Sequence, residues 1–121
     1  MAEIPIDKLA EKMGDKIDDI IRGVKISTFN GVVRDTRVDT GRLIGNWQIS
    51  NTTPITREIE RLDPTGEEVQ SEIASTVKPD TVDYLTNNLP YAAYWEERDG
   101  MIAGNAARVE RNIQEKIDES N

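Results

Sequence analysis

The 121-residue chain contains no cysteine and no histidine. The first absence excludes disulfide frameworks and thiol nucleophiles, and the second removes Ser-His-Asp relays; together they exclude ordinary zinc sites. What remains for catalysis is carboxylates, lysines and hydroxyls, with oxygen-ligated Mg²⁺ as the metal chemistry left open. Long apolar runs are also missing. Nothing approaches the roughly 18 apolar residues of a spanning helix, and no basic segment followed by an apolar one opens the chain, so neither a membrane span nor a secretion signal is expected. An intracellular origin and no membrane partner follow from that reading.

What is present is acidic and soluble-globular. Hydrophobic residues make up 36% and charged residues 31%, which suits one domain with a modest core. The formal net charge is −8, against gripping a nucleic acid phosphate backbone, because such affinity comes from clustered Lys and Arg. The charge is uneven. Residues 1–37 carry seven basic and seven acidic side chains, residues 38–99 five and twelve, and residues 100–121 three and four. The acidic centre is either solubility alone or a surface that faces DNA without holding it.

Hydrophobic spacing predicts an α+β fold within a single domain, 1–121: an N-terminal helix over 1–34, a sheet-containing body over 38–99 and a C-terminal helix over 101–118. Ile4-Pro5-Ile6-Asp7 suits a helix start, with proline tolerated in the first turn and Asp7 and Glu11 near the positive end of the dipole. Ile6, Leu9, Met13, Ile17, Ile20 and Val24 then recur at steps of three and four, continuing more weakly through Thr28 and Val32. Ile21 and Ile26 fall off that stripe, so the excess length either caps the sheet or packs on a neighbouring subunit. A break is expected near Gly31, since glycine costs about 1 kcal/mol relative to alanine inside a helix.

Asn46 to Thr52 alternates apolar with polar residues and predicts a strand ended by Pro54, and Ile55 to Leu62 reads as loop. Asp63-Pro64 predicts a capped helix start, with Asp63 as cap and Pro64 in the first position; Val69, Ile73 and Val77 then share one face, and although Val69, Ser71, Ile73, Ser75 and Val77 would also satisfy a strand, the cap favours helix. Thr81 to Asn87 predicts the second strand of a small antiparallel sheet. Tyr91 to Arg98 holds three of the chain's six aromatic residues. As a helical turn it puts Tyr91, Tyr94 and Trp95 on one face, over the sheet near Trp47. Ile102, Ala106, Val109, Ile113 and Ile117 mark the C-terminal helix.

The candidate site is the corner where the long helical pattern stops. Asp39 and Thr40 can hydrogen-bond nearby backbone, Gly41 can take a positive φ, and Arg42 offers a fork of donors. Leu43 and Trp47, four residues apart, share one side of a turn. As pure structure this is a capped corner with Leu43 and Trp47 as core plugs and Arg42 as a solvated charge. Read as a junction, Arg42 is expected to pair with Glu96 or Glu97 and join two separated motifs.

Those two motifs carry a resemblance. Thr36-Arg37-Val38-Asp39-Thr40-Gly41-Arg42-Leu43 with Asn46-Trp47, and Tyr84-Leu85-Thr86-Asn87-Asn88-Leu89-Pro90-Tyr91-Ala92 with Glu96 and Gly100-Met101, resemble the neck or tail-completion proteins of long-tailed bacteriophages and prophages. The likeness runs over roughly residues 5 to 115. It implies a small α+β structural subunit without enzymatic activity or cofactor, located in the virion and assembled in the host cytoplasm. The subunit would form a homo-oligomeric ring at the head-to-tail junction, between head connector and tail terminator proteins, through which DNA passes without specific binding. The family's motif roles fall on Asp39, Gly41, Arg42, Trp47, Asn87, Tyr91 and Glu96. One departure is a loop: many relatives carry a longer Gly- or Pro-rich segment where this chain has only Glu97-Arg98-Asp99. In such a ring the acidic residues Glu58, Glu60, Glu67, Glu68 and Glu72 are candidates to line the channel, where like charge opposes adhesion of duplex DNA.

Two other classes fit the residues less well. A monomeric acidic inhibitor would use the acidic centre to imitate DNA. An enzyme would need Glu96, Glu97 and Asp99, with Asp39, to bind Mg²⁺ or to act as an acid and base pair.

Overall fold

The computed structural model describes residues 17–119. In chain order the elements are helix α1 (Ile17–Arg34), the single turn α2 (Arg42–Gly45), strand β1 (Trp47–Asn51), helix α3 (Glu67–Thr76), strand β2 (Asp83–Asn87), helix α4 (Ala92–Asp99) and helix α5 (Met101–Glu119). β1 and β2 pair antiparallel, with Trp47 opposite Asn87, Ile49 opposite Leu85 and Asn51 opposite Asp83. The α+β expectation holds. The start of the N-terminal helix, from Ile6 through Met13, lies outside the described residues.

α1 serves two partners because its apolar residues occupy two faces. Ile20 and Val24 pack on Val109, Ile113 and Ile117 of α5, while Ile26, Phe29, Val32 and Val33 enter the main core with Trp47, Ile49, Val69, Ile73, Val77 and Met101. Ile26 was off the stripe for this reason: it belongs to the second face. Ile17 ends up exposed.

Gly31 does not break the helix. The chain needs it there, because a Cβ at Gly31 would fall on the Asn105 side chain of α5. Asn105 is buried, donating through Nδ2 to the Met101 carbonyl at 2.7 Å and to Asp35 Oδ2 at 2.9 Å. α1 and α5 thus close on a polar contact as well as an apolar one.

α1 also grips the end of α3. The Arg22 guanidinium donates to the carbonyls of Ala74 and Val77, which the end of α3 leaves unpaired, and Lys25 Nζ donates to those of Lys78 and Thr81 in the turn beyond it. Lys25 then reaches Asp83 Oδ2 at 2.9 Å. Burial pushes the Asp83 carboxyl up, but hydrogen bonds from Thr81, Lys25 and Asn51 and the charge of Lys25 outweigh it and hold the group below its ordinary value.

Three sequence expectations are corrected. α3 begins at Glu67, not Pro64. Gly66, with φ of +76°, precedes it, and Asp63 caps from farther back through Oδ2 to the Val69 N–H at 2.9 Å. Pro64 therefore sits in a turn, closed by the Gly66 N–H on the Asp63 carbonyl. Tyr91 and Tyr94 do not pack over the sheet; both are exposed, and only Trp95 turns inward. Ile102 is likewise exposed, and Met101 fills the core position at the head of α5. Its one-residue offset follows from Gly100, which ends α4 in a left-handed conformation and leads straight into α5.

Two outcomes follow. Gly31→Val should cost about 1–3 kcal/mol in denaturant unfolding, since Asn105 has no free space to yield. The Asp83 network stabilises the fold above the unfolded carboxyl value of about 3.8 and loses its contribution as pH falls through the lower folded value. Asp83→Asn should remove that part of the acid-side loss in a series of melts from pH 6 to pH 2, while Asp19→Asn on the exposed face of α1 should not.

Candidate functional site

The corner is built from α1 downward. At the C-terminus of α1 the Thr36 hydroxyl donates to the Val32 carbonyl at 2.6 Å and accepts the Trp47 indole N–H at 2.8 Å. Trp47 is thereby fixed at both its ring and its polar edge, and it is buried as a core plug. Gly41 has φ of +86°, and a Cβ there would collide with the backbone of Pro64. Its carbonyl accepts the Asp63 N–H at 3.0 Å, so the corner is clamped to the turn before α3. Asp39 and Thr40 stay exposed.

The two motifs meet. Asn87, at the end of β2, donates through Nδ2 to the Leu43 carbonyl at 2.8 Å, and Leu43 packs on Leu89, Ala92 and Trp95. Asn87 Oδ1 also receives the Leu89 N–H, which turns the chain toward α4. A cleft of about 310 Å³ opens beside this junction, lined by Arg37, Val38, Asp39, Thr40, Leu43, Tyr91 and Trp95. Arg37 lies 4.0 Å over the Trp95 ring and donates to Asp99 at 3.3 Å; Tyr94 meets the same ring edge-on. Corner, β2 end and α4 form one aromatic-walled unit.

Arg42 does not make the expected link. Its guanidinium reaches Glu58 at 3.3 Å, and neither Glu96 nor Glu97 is its partner. Glu96 instead takes the Ile102 N–H at 2.8 Å and the Ala103 N–H at 3.2 Å, capping the first turn of α5. The reason is the short connection: with Gly100 alone between α4 and α5, a side chain four residues back on α4 falls beside the free N–H groups of α5. The segment Glu97-Arg98-Asp99 is the last turn of α4 rather than a loop.

The acidic candidates divide. Glu58 pairs with Arg42, while Glu72 and Glu68 approach Arg61 Nη1 at 2.7 and 3.8 Å; Glu60 and Glu67 are exposed without such pairing among the described residues. The carboxylates proposed for an enzyme are also separately engaged, Glu96 by α5 and Asp99 by Arg37. Among the described residues no three His, Cys, Asp or Glu side chains converge to hold a metal ion.

The sequence reading missed a strap. Residues 55–61 run across the outer face of the sheet, antiparallel to β1, and are bound by side chains rather than by a ladder. Asn46 exchanges two bonds with Ile59, Gln48 donates to the Arg57 carbonyl, and Thr86 and Asn88 both donate to the Ile55 carbonyl. Arg61 closes the end by donating to the Gly45 and Trp47 carbonyls. Asn46, Gln48, Thr86 and Asn88 share one face by strand alternation. That alternation of amides and hydroxyls was the available signal.

Asn87→Ala should cost about 1–2 kcal/mol, because the half-buried Leu43 carbonyl loses its donor. Arg42→Ala should change stability by less than about 1 kcal/mol, since its ion pair is solvent-exposed. Thermal or urea unfolding of the two variants side by side checks the contrast.

No family model, curated protein or solved structure matches this chain.

Proposed function

We propose that this chain is a structural subunit of the neck of a long-tailed bacteriophage or prophage, forming a ring at the head-to-tail junction that completes the tail and lets DNA pass. The observation that supports the reading best is the Asn87 to Leu43 bond with the Leu43, Leu89, Ala92 and Trp95 cluster. Leu43 and Asn87, one from each motif that carries the family resemblance, are 44 residues apart in sequence, yet they build a single junction. A resemblance spread over both would be coincidental if they served different parts of the fold.

The surface around the junction is of a kind that proteins use to meet proteins. Tyr91, Tyr94 and Val38 are exposed beside Arg37 and Arg98, a mixture of aromatic and arginine side chains enriched in interface cores. The strap and α3 carry the acidic residues, so one subunit presents an adhesive aromatic region and a DNA-repelling one. In the proposed ring the first meets neck partners and the second faces the channel.

Electron cryo-microscopy of purified particles tests this. A ring of the subunit between head and tail, with Glu60 and Glu67 toward the lumen, is the expected result. Particles without the chain at that position contradict the proposal, and carboxylates on the outer wall contradict the channel assignment.

A further inference from the structure

Among the described residues nothing pairs with the outer edge of β2. In the β1 and β2 pair the Thr52 N–H donates to the Val82 carbonyl, and this sets the phase of the ladder. Residues 84 and 86 therefore turn their backbone groups toward β1, whereas Asp83, Leu85 and Asn87 turn theirs away. No described residue bonds those outward N–H and C=O groups. Beside them lies a cleft of about 330 Å³ where Trp47, Leu85, Ala92, Ala93 and Ile102, the last of which is 46% exposed, meet the polar Thr86, Asn87, Asn88 and Glu96.

Proteins guard such edges with lysine, proline, bulges or a covering segment. β2 carries no lysine, proline or bulge, and among the described residues no segment covers its edge. Its one charged residue, Asp83, has a side chain only 1% exposed, sealed by Lys25, Thr81 and Asn51. The strap covers the outer face of the sheet and leaves this edge free.

We infer that the β2 edge docks the β2 edge of a second copy, antiparallel about a two-fold axis at Leu85, to give one continuous four-stranded sheet. The occupant is set by self-complementarity. In this register Asp83 faces Asn87 of the second copy, so no like charges oppose. Leu85 faces Leu85 of the second copy, and the three outward-facing residues of each strand exchange their backbone bonds. Tyr84 lies opposite Thr86 of the second copy, an aromatic with a β-branched residue, which is a favourable cross-strand pair and occurs twice. Ile102 of each copy adds apolar surface at the flank. The inference stands apart from the neck reading, because a two-fold contact closes on itself and is not the repeating contact of a ring.

Sedimentation equilibrium of the purified chain tests it, together with the Tyr84→Lys variant. Tyr84 lies on the face opposite Leu85, so this change leaves the core side of the strand intact while guarding the edge. The expected result is a reversible dimer of the unmodified chain whose dissociation constant rises by about tenfold or more in the variant. A second arm uses the absence of native cysteine: Tyr84→Cys chains mixed with Thr86→Cys chains should form a disulfide between copies on mild oxidation, since these positions face each other in a close, non-hydrogen-bonded pair. A chain that stays monomeric at millimolar concentration overturns the inference. So does a dimer that is indifferent to Tyr84→Lys and yields no mixed disulfide.

Discussion

Backbone groups that no ladder can reach are the constraint this molecule is organised around. A two-stranded sheet satisfies few of them, and isolated two-stranded sheets are marginal. Here buried or half-buried amide side chains take over: Asn46 and Gln48 hold the strap, Asn87 holds the corner, and Asn105 ties α5 to Asp35 just past the end of α1. Each is costly to bury unpaired, and each is paired. Such contacts are directional, so they fix which segment goes where, while the apolar core supplies the general drive to collapse.

The same constraint explains how a corner becomes a site. Gly41 turns where a side chain would strike Pro64, Leu43 is then delivered to α4, and its carbonyl is left facing Asn87. Trp47 follows four residues later and locks against Thr36. The aromatic cleft is therefore a by-product of closing the chain at that point, and two of its walls, Leu43 and Trp95, also serve the core. A binding surface placed on such a frame loses little entropy when it is covered.

Much of this was legible from residue order. The spacing of Val69, Ile73 and Val77 suited helix or strand and the capping signal at Asp63 decided for α3, the β-branched run marked β2, and the small residues at 39–41 marked the corner. The strap was not legible, since Ile55, Ile59 and Leu62 fit a helical turn as well as an irregular edge, and its structure comes from amides and hydroxyls of Asn46, Gln48, Thr86 and Asn88 outside the segment. The Arg42 partner was missed for a related reason. Charge and proximity of motifs suggested Glu96, but the free N–H groups at the head of α5 compete for that carboxylate at shorter range, and their existence depends on α4 and α5 being joined by Gly100 alone. Exposure of Tyr91 and Tyr94 was hidden in the same way, because which face of a short helix turns inward is decided by tertiary packing, here by Trp95 between Leu43 and the core.

The electrostatics of the proposed channel can be sharpened by this pairing. Five carboxylates were candidates, yet Arg42 and Arg61 sit among them and partly offset Glu58, Glu68 and Glu72. The repulsion offered to DNA by one subunit then comes chiefly from Glu60 and Glu67, and at a screening length of about 8–10 Å it acts only on a duplex close to the wall. A ring multiplies that short-range field by the number of subunits without creating a deep well or a high barrier for DNA. A wall of unpaired carboxylates would also repel itself across neighbouring subunits, so in the proposed ring arginines interleaved with glutamates would serve assembly and passage together. On this argument Arg61 is the residue that reconciles the two demands, because the same guanidinium that offsets Glu68 and Glu72 also ties the strap to the Gly45 and Trp47 carbonyls.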